Sequence, residues 1–129
     1  MECRLSPWTI GGYKAEQGHR DSIMLKAHVE EGPIVGFIVG RAPMAGAGEI
    51  LNIGTALKFQ RQGIGSMLIE HFCAICNERS VSAIWLEVRV TNQTAIDFYK
   101  SHQFIKKGVR PDFYSNPTED ADIMALVLR

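Results

Sequence analysis

The stretch Gln60-Arg61-Gln62-Gly63-Ile64-Gly65-Ser66 decides how this chain is read. Before it, Glu49 to Ala56 (EILNIGTA) has the apolar, β-branched composition of a strand. After it, Ile64, Leu68, Phe72 and Ile75 recur at helical spacing within Gly63 to Glu78. Glycines in a strand-to-helix turn let the backbone approach a ligand, and the free N–H groups of a helix start attract anions. Arg61 adds a permanent positive charge beside them. The glycines alone fit a turn without ligand as well as they fit a phosphate cradle. A Walker loop needs Gly-Lys-Ser/Thr, which is not in the sequence, and a dinucleotide fingerprint needs a third glycine where Leu68 stands. Ordinary ATPase and Rossmann dehydrogenase chemistry are therefore set aside.

Working outward, Ser22 to Val29 and Ile34 to Arg41 read as strands, and Glu30-Glu31-Gly32-Pro33 between them reads as a hairpin turn. Toward the N-terminus, Ser6-Pro7-Trp8 predicts a helix with Ser6 as its cap, weakened by Gly11-Gly12 and ending near Gly18. Pro43 to Gly48 is a loop. Ala83 to Val90 (AIWLEVRV) is a nearly unbroken apolar strand, after which Thr91-Asn92 caps a helix reaching about His102. Phe104 to Arg110 and Asp120 to Leu128 close the chain as two strands. Strands mixed with strand–helix–strand crossovers imply an α+β sheet with helices on its faces.

Composition narrows the function classes. The 129 residues make one domain over 1–129, and 46% hydrophobic against 22% charged residues argues for a packed core. Lys+Arg 14 balances Asp+Glu 14, so there is no electrostatic footprint for nucleic acid. No apolar run reaches the length of a membrane span, and the N-terminus lacks a signal peptide's apolar core. Three cysteines fit a reducing cytoplasm. Cys73 and Cys76 have metal-like spacing beside His71, but with no second pair they read as buried thiols, so no metal is expected. His19, His28 and His102 show no metal spacing either, and no Gly-x-Ser-x-Gly elbow is present.

Gln-x-x-Gly-x-Gly in this setting resembles the acetyl-CoA pyrophosphate loop of the GNAT N-acetyltransferases. Leu86-Glu87-Val88-Arg89, Asn92, Ala95, Tyr99, Arg110, Tyr114, Glu119-Asp120-Ala121 and Met124 resemble the RimI branch, the ribosomal-protein-alanine N-acetyltransferases. The resemblance runs from about Ser6 to the C-terminus and is weaker before Glu49. It implies a mixed, mostly antiparallel sheet with helices on both faces. It also implies acetyl-CoA as cosubstrate: pantetheine against the backbone of Ile53-Gly54-Thr55, pyrophosphate on Arg61, Gln62, Gly63, Ile64, Gly65 and Ser66, and a further contact from Asn92. The position of Asn92 is equally that of a plain helix cap.

Glu87 lies in an apolar strand, surroundings that raise a carboxyl pKa and suit a general base. A pairing with Arg89 on the same face would lower it instead, and from the strand alone that structural reading is the stronger one. The resemblance reverses this. RimI-like enzymes place a tyrosine twelve residues after the glutamate, and here that residue is Tyr99. The implied roles are Glu87 as base, through water, and Tyr99 as the acid that protonates the CoA thiolate. Without the family, Tyr99 is a core aromatic on a helical face. Deprotonating an α-amine at neutral pH costs ~1 kcal/mol and a lysine ~4.6, which favours a peptide N-terminus as acceptor. Tyr114 is the candidate peptide contact, and Phe113 stands where the family usually has another tyrosine. Glu119, Asp120 and Asp122 could attract a basic peptide end or simply be solvated.

Two departures stand out. Gln103 replaces the glycine that usually ends the helix begun at Asn92, so it must take a left-handed conformation or the helix must exit differently. The strand and helix that usually precede Pro7-Trp8 are missing or shortened. That would leave Ser22 to Val29 as an exposed edge open to homodimerisation. The reading is an acetyl-CoA-dependent N-acetyltransferase acting by direct attack in a ternary complex on a protein N-terminus, with a ribosomal protein as the family's substrate. The alternatives are a lysine or small-amine acetyltransferase and a non-catalytic CoA-binding or interaction domain.

Overall fold

The computed structural model describes residues 8–16, 19–29, 32–56 and 63–128. These form β1 (Trp8–Glu16), β2 (His19–Val29), β3 (Ile34–Arg41), β4 (Ala47–Thr55), α1 (Ile64–Glu78), β5 (Ala83–Arg89), α2 (Gln93–Ser101), β6 (Ile105–Tyr114) and β7 (Glu119–Val127). One sheet orders them β1-β2-β3-β4-β5-β7-β6. Neighbours run antiparallel except β4 and β5, which are parallel because α1 carries the chain across between them. The α+β reading with a mixed, mostly antiparallel sheet therefore holds.

The N-terminal helix does not form. Its cap, Ser6-Pro7, lies outside the described residues, and from Trp8 the chain is strand β1, with Trp8 opposite Val29 and Tyr13 opposite Leu25. The reason is local. Each of Gly11 and Gly12 would cost a helix about 1 kcal/mol, whereas Thr9, Ile10 and Tyr13 favour a strand. The glycines fall at the register shift between Ile10 and Tyr13, where one extra residue is absorbed. β2 is consequently covered, and the sheet edges are β1 and β6 rather than the expected Ser22 to Val29.

α1 lies across β2, β3 and β4, and two glycines of β3 let it come close. A Cβ at Gly36 would stand 2.8 Å from Ile64, and one at Gly40 would stand 2.4 Å from the Glu49 carbonyl and 2.6 Å from the Phe72 ring. Ile23, Ile38, Leu68, Phe72, Ile84 and Met124 are fully buried in the single core this produces. Because the Gly40 clash is with backbone, it cannot be relieved by a rotamer change. Gly40→Ala should destabilise the fold by about 1–3 kcal/mol, seen as a lower urea midpoint at unchanged slope.

α2 meets the N-terminal end of α1: the Phe98 ring would touch a Cβ placed on Gly65, and Ser66 Oγ shares a 2.9 Å hydrogen bond with His102 Nε2. The helices thus sit on the face toward which Gly36 and Gly40 point. Among the described residues no helix covers the opposite face, which carries Phe37 and Trp85. Gln103 ends α2 with φ +75°, the left-handed conformation expected of a glycine replacement. Phe104 N–H donates to the Tyr99 carbonyl and Gln103 N–H to the Lys100 carbonyl, and the Phe104 ring packs on Tyr99, which together make a Schellman motif. Gln103→Gly should relieve the strain and raise the melting temperature by roughly 3–6 °C, for a gain of about 1 kcal/mol.

Candidate active site

The site begins where the parallel pairing stops. β4 pairs with β5 only from Ala47 to Glu49, opposite Ala83 to Trp85. At the next step β3 and β4 slip register: Gly40 faces Ile50 while Val39 faces Asn52, so Leu51 is an extra residue in β4. A bulge bends its strand and increases its twist, and here it turns β4 away from β5. From Ile50 onward β4 pairs with β3 and not with β5, so among the described residues no strand takes up the other edge of its backbone. The gap is a cleft of about 450 Å³ lined by β4, β5, the start of α2 and Tyr114.

Among the residues singled out from sequence, Ile53, Glu87, Asn92, Tyr99 and Tyr114 all line this one cleft. Gly54 and Thr55 continue β4 beyond Ile53. The Gly54 position is kept small by the Phe37 ring, 2.8 Å from where a Cβ would stand. Arg61 and Gln62 lie outside the described residues. Gly63 caps α1 at φ +84° with open space around it. Neither a side-chain cap nor an acidic residue occupies the first turn of α1, so among the described residues no side chain takes its leading N–H groups. That is a fit for an anion. Ile64 is buried under β3 and can offer only backbone, while Gly65 owes its smallness to Phe98 rather than to a ligand.

Asn92 is a cap as well as a cleft residue: its Oδ1 accepts from Ala95 N–H at 3.2 Å, which leaves the amide nitrogen for another partner. Tyr99 is 7% exposed, and burial together with the neighbouring Tyr114 pushes its pKa up to about 12. Burial and the Glu87 carboxylate also raise Tyr114, against the pull of Arg89. Burial lowers His102 in spite of Glu70, so the ring bonded to Ser66 favours its neutral form. Burial likewise raises Cys73 to about 11 and Cys76 to about 12, which keeps both as thiols.

Glu87 does not pair with Arg89. Its Oε2 lies 3.4 Å from Nη2 of Arg110, while Arg89 is bound to Glu119. Across β7, Arg110 shares a row with Arg89 through Ala121, while Glu87 lies opposite Ile123 in the next row of the same face, so the long Arg110 side chain reaches Glu87 diagonally. The sequence reading missed Arg110 as the partner of Glu87, and the contact depends on β7 inserting between two strands that follow each other less directly. The wall formed by Ile50, Leu51 and Asn52 was also missed, since nothing in EILNIGTA marks a bulge.

Comparison with known proteins assigns the fold that carries this cleft. The sequence model of the acetyltransferase (GNAT) family covers residues 1–104. The chain belongs to the GNAT family of acetyltransferases. It is 33% identical over 122 residues to the [ribosomal protein bS18]-alanine N-acetyltransferase of Escherichia coli K12, covering 93% of this chain and 80% of that protein. The crystal structure of the ribosomal-protein-S18-alanine N-acetyltransferase from E. coli superposes with a TM-score of 0.80 at 26% identity, covering 93% of each chain. Ard1 from Thermoplasma volcanium aligns with a TM-score of 0.76 at 33% identity, over 82% of this chain and 70% of that one. This GNAT chain is thus an N-acetyltransferase that uses acetyl-CoA. No helix among its described residues is long and apolar enough to cross a membrane.

Proposed function

We propose that this acetyltransferase modifies the N-terminal α-amine of a protein, with an alanine-first ribosomal protein as the natural acceptor and the cytoplasm as the compartment. The observation that carries the reading is a single carboxylate, Glu87, facing the same cleft as a buried tyrosine, Tyr99. One carboxylate in reach of water suits an α-amine, which needs only ~1 kcal/mol to deprotonate near neutral pH. The likeness to alanine N-acetyltransferases over most of the chain points the same way.

In this reading β4's open edge from Ile50 onward takes the pantetheine, and the start of α1 with Arg61 to Ser66 takes the pyrophosphate. The amine nitrogen attacks the thioester carbonyl directly, and its proton passes through water to Glu87. The C–S bond breaks as the C–N bond forms. Tyr99 hydrogen-bonds the sulfur as negative charge builds on it. Burial holds Tyr99 in its protonated form, and the same surroundings raise a thiol too, so the hydroxyl can donate to the sulfur and give up its proton as the thiolate leaves. A homodimer would form through the β1 edge rather than β2, and light scattering at working concentration tests it.

Two alanine-first peptides with an internal lysine, one with its α-amine blocked, test the acceptor by mass spectrometry with acetyl-CoA. The free-ended peptide alone should gain one acetyl group. Acetylation of both would move the acceptor to lysine, and acetylation of neither would leave the peptide reading without support.

A further inference from the structure

The turn joining β6 to β7 borders the cleft through Tyr114, yet Ser115, Asn116, Pro117 and Thr118 are all exposed. Such a turn has no buried side chain of its own to fix it, and apart from the bond of Asp112 N–H to Asp120 Oδ1 across its base it depends on outside contacts. Arg89 supplies them. Nη1 donates to Glu119 Oε1 at 2.9 Å and to the Pro117 carbonyl at 3.3 Å, and Nη2 donates to the Ser115 carbonyl at 3.3 Å. The guanidinium carbon sits 4.3 Å from the centre of the Tyr114 ring. A planar, forked cation can make these bonds and the stacking together, and an ammonium cannot.

The turn is also tied to the other wall of the cleft. Glu119 accepts from Thr91 as well as from Arg89, and these bonds hold its carboxyl below the ordinary range. Thr91 immediately precedes Asn92, the cap of α2. One side chain on β5 thereby fixes the turn and the face of Tyr114, and it shares Glu119 with the start of α2.

We propose that Arg89 is the positioning residue of the acceptor slot: by clamping the β6–β7 turn and the Tyr114 ring it sets affinity for the peptide, without acting on the acetyl group. The proposal rests on the α-amine reading above and adds to it the element that shapes the peptide's seat. Arg89 acts through Tyr114 and the turn, since its two Nη atoms are already committed to Glu119, Pro117 and Ser115.

The test compares wild type, Arg89→Ala and Arg89→Lys in steady-state acetylation of the free-ended peptide and in amide hydrogen exchange. Arg89→Ala should raise the peptide KM about tenfold or more while the acetyl-CoA KM stays within about twofold, with Arg89→Lys in between. Exchange at residues 115–119 should quicken about tenfold, with α1 unchanged. An unchanged peptide KM, an equal rise in both KM values, or exchange that quickens equally in α1 would overturn the proposal. If Arg89→Ala does not fold, the same criteria applied to Arg89→Lys decide. If wild type acetylates neither peptide, the function reading fails, and exchange at the turn still decides whether Arg89 holds it.

Discussion

Glu87→Gln should lower kcat at pH 7 by two to three orders of magnitude while acetyl-CoA binds as before. General-base assistance contributes about 10²–10⁴-fold, and the amide keeps the volume and hydrogen-bonding shape of the carboxylate while losing its basicity. The Arg110 guanidinium, 3.4 Å from Glu87, would be left without its partner, but it is well exposed and water can replace the lost contact. Structural damage should therefore be small, with a melting temperature near that of wild type. The loss should shrink as pH rises, because above pH 8 an α-amine is already largely neutral and needs the base less. A rate deficit that stayed constant from pH 6 to 10 would show that Glu87 does something other than take the proton. Isothermal titration with CoA separates binding from turnover.

The second large effect is expected at Tyr99. Removing one preorganised donor to a developing charge costs about 10²–10³ in rate, and Tyr99→Phe removes only the hydroxyl while keeping the ring packed on Phe104. The pH profile carries a further test. Burial holds the Tyr99 proton to about 12, above the ordinary 10, so the donor form persists across the whole working range. The rate should rise with pH through the α-amine's pKa near 8 and should not fall through loss of the Tyr99 proton below about pH 11. A fall near pH 9 to 10 that disappears in Tyr99→Phe would contradict this assignment. Stopped assays with a free-thiol reagent measure both.

Much of this site was legible because its parts are local in sequence. Glu87 is fixed within its own strand, Tyr99 within the helix that follows, and the glycine cap at Gly63 by the turn it makes. Elements with strong periodicity, such as α1 and β5, were placed to within a residue or two. What the sequence hid was tertiary. The Leu51 bulge depends on how β3 and β4 register, and the Glu87–Arg110 contact depends on β7 lying between β5 and β6. The N-terminal error has a different origin. Ser6-Pro7-Trp8 carries helix-start chemistry, but the Gly11-Gly12 pair and the pairing offered by β2 outweigh it.

The short parallel contact between Ala47–Glu49 and Ala83–Trp85 has a mechanical consequence. It divides the sheet into two blades, β1 to β4 and β5-β7-β6, whose backbone ladders are stitched together over three residue pairs. Acetyl-CoA seated in the gap, as proposed above, would touch both blades, so its binding energy would also help hold the sheet together. The donor would then act as a removable seam. In a cell short of acetyl-CoA the protein would lose its reagent and part of its own cohesion together.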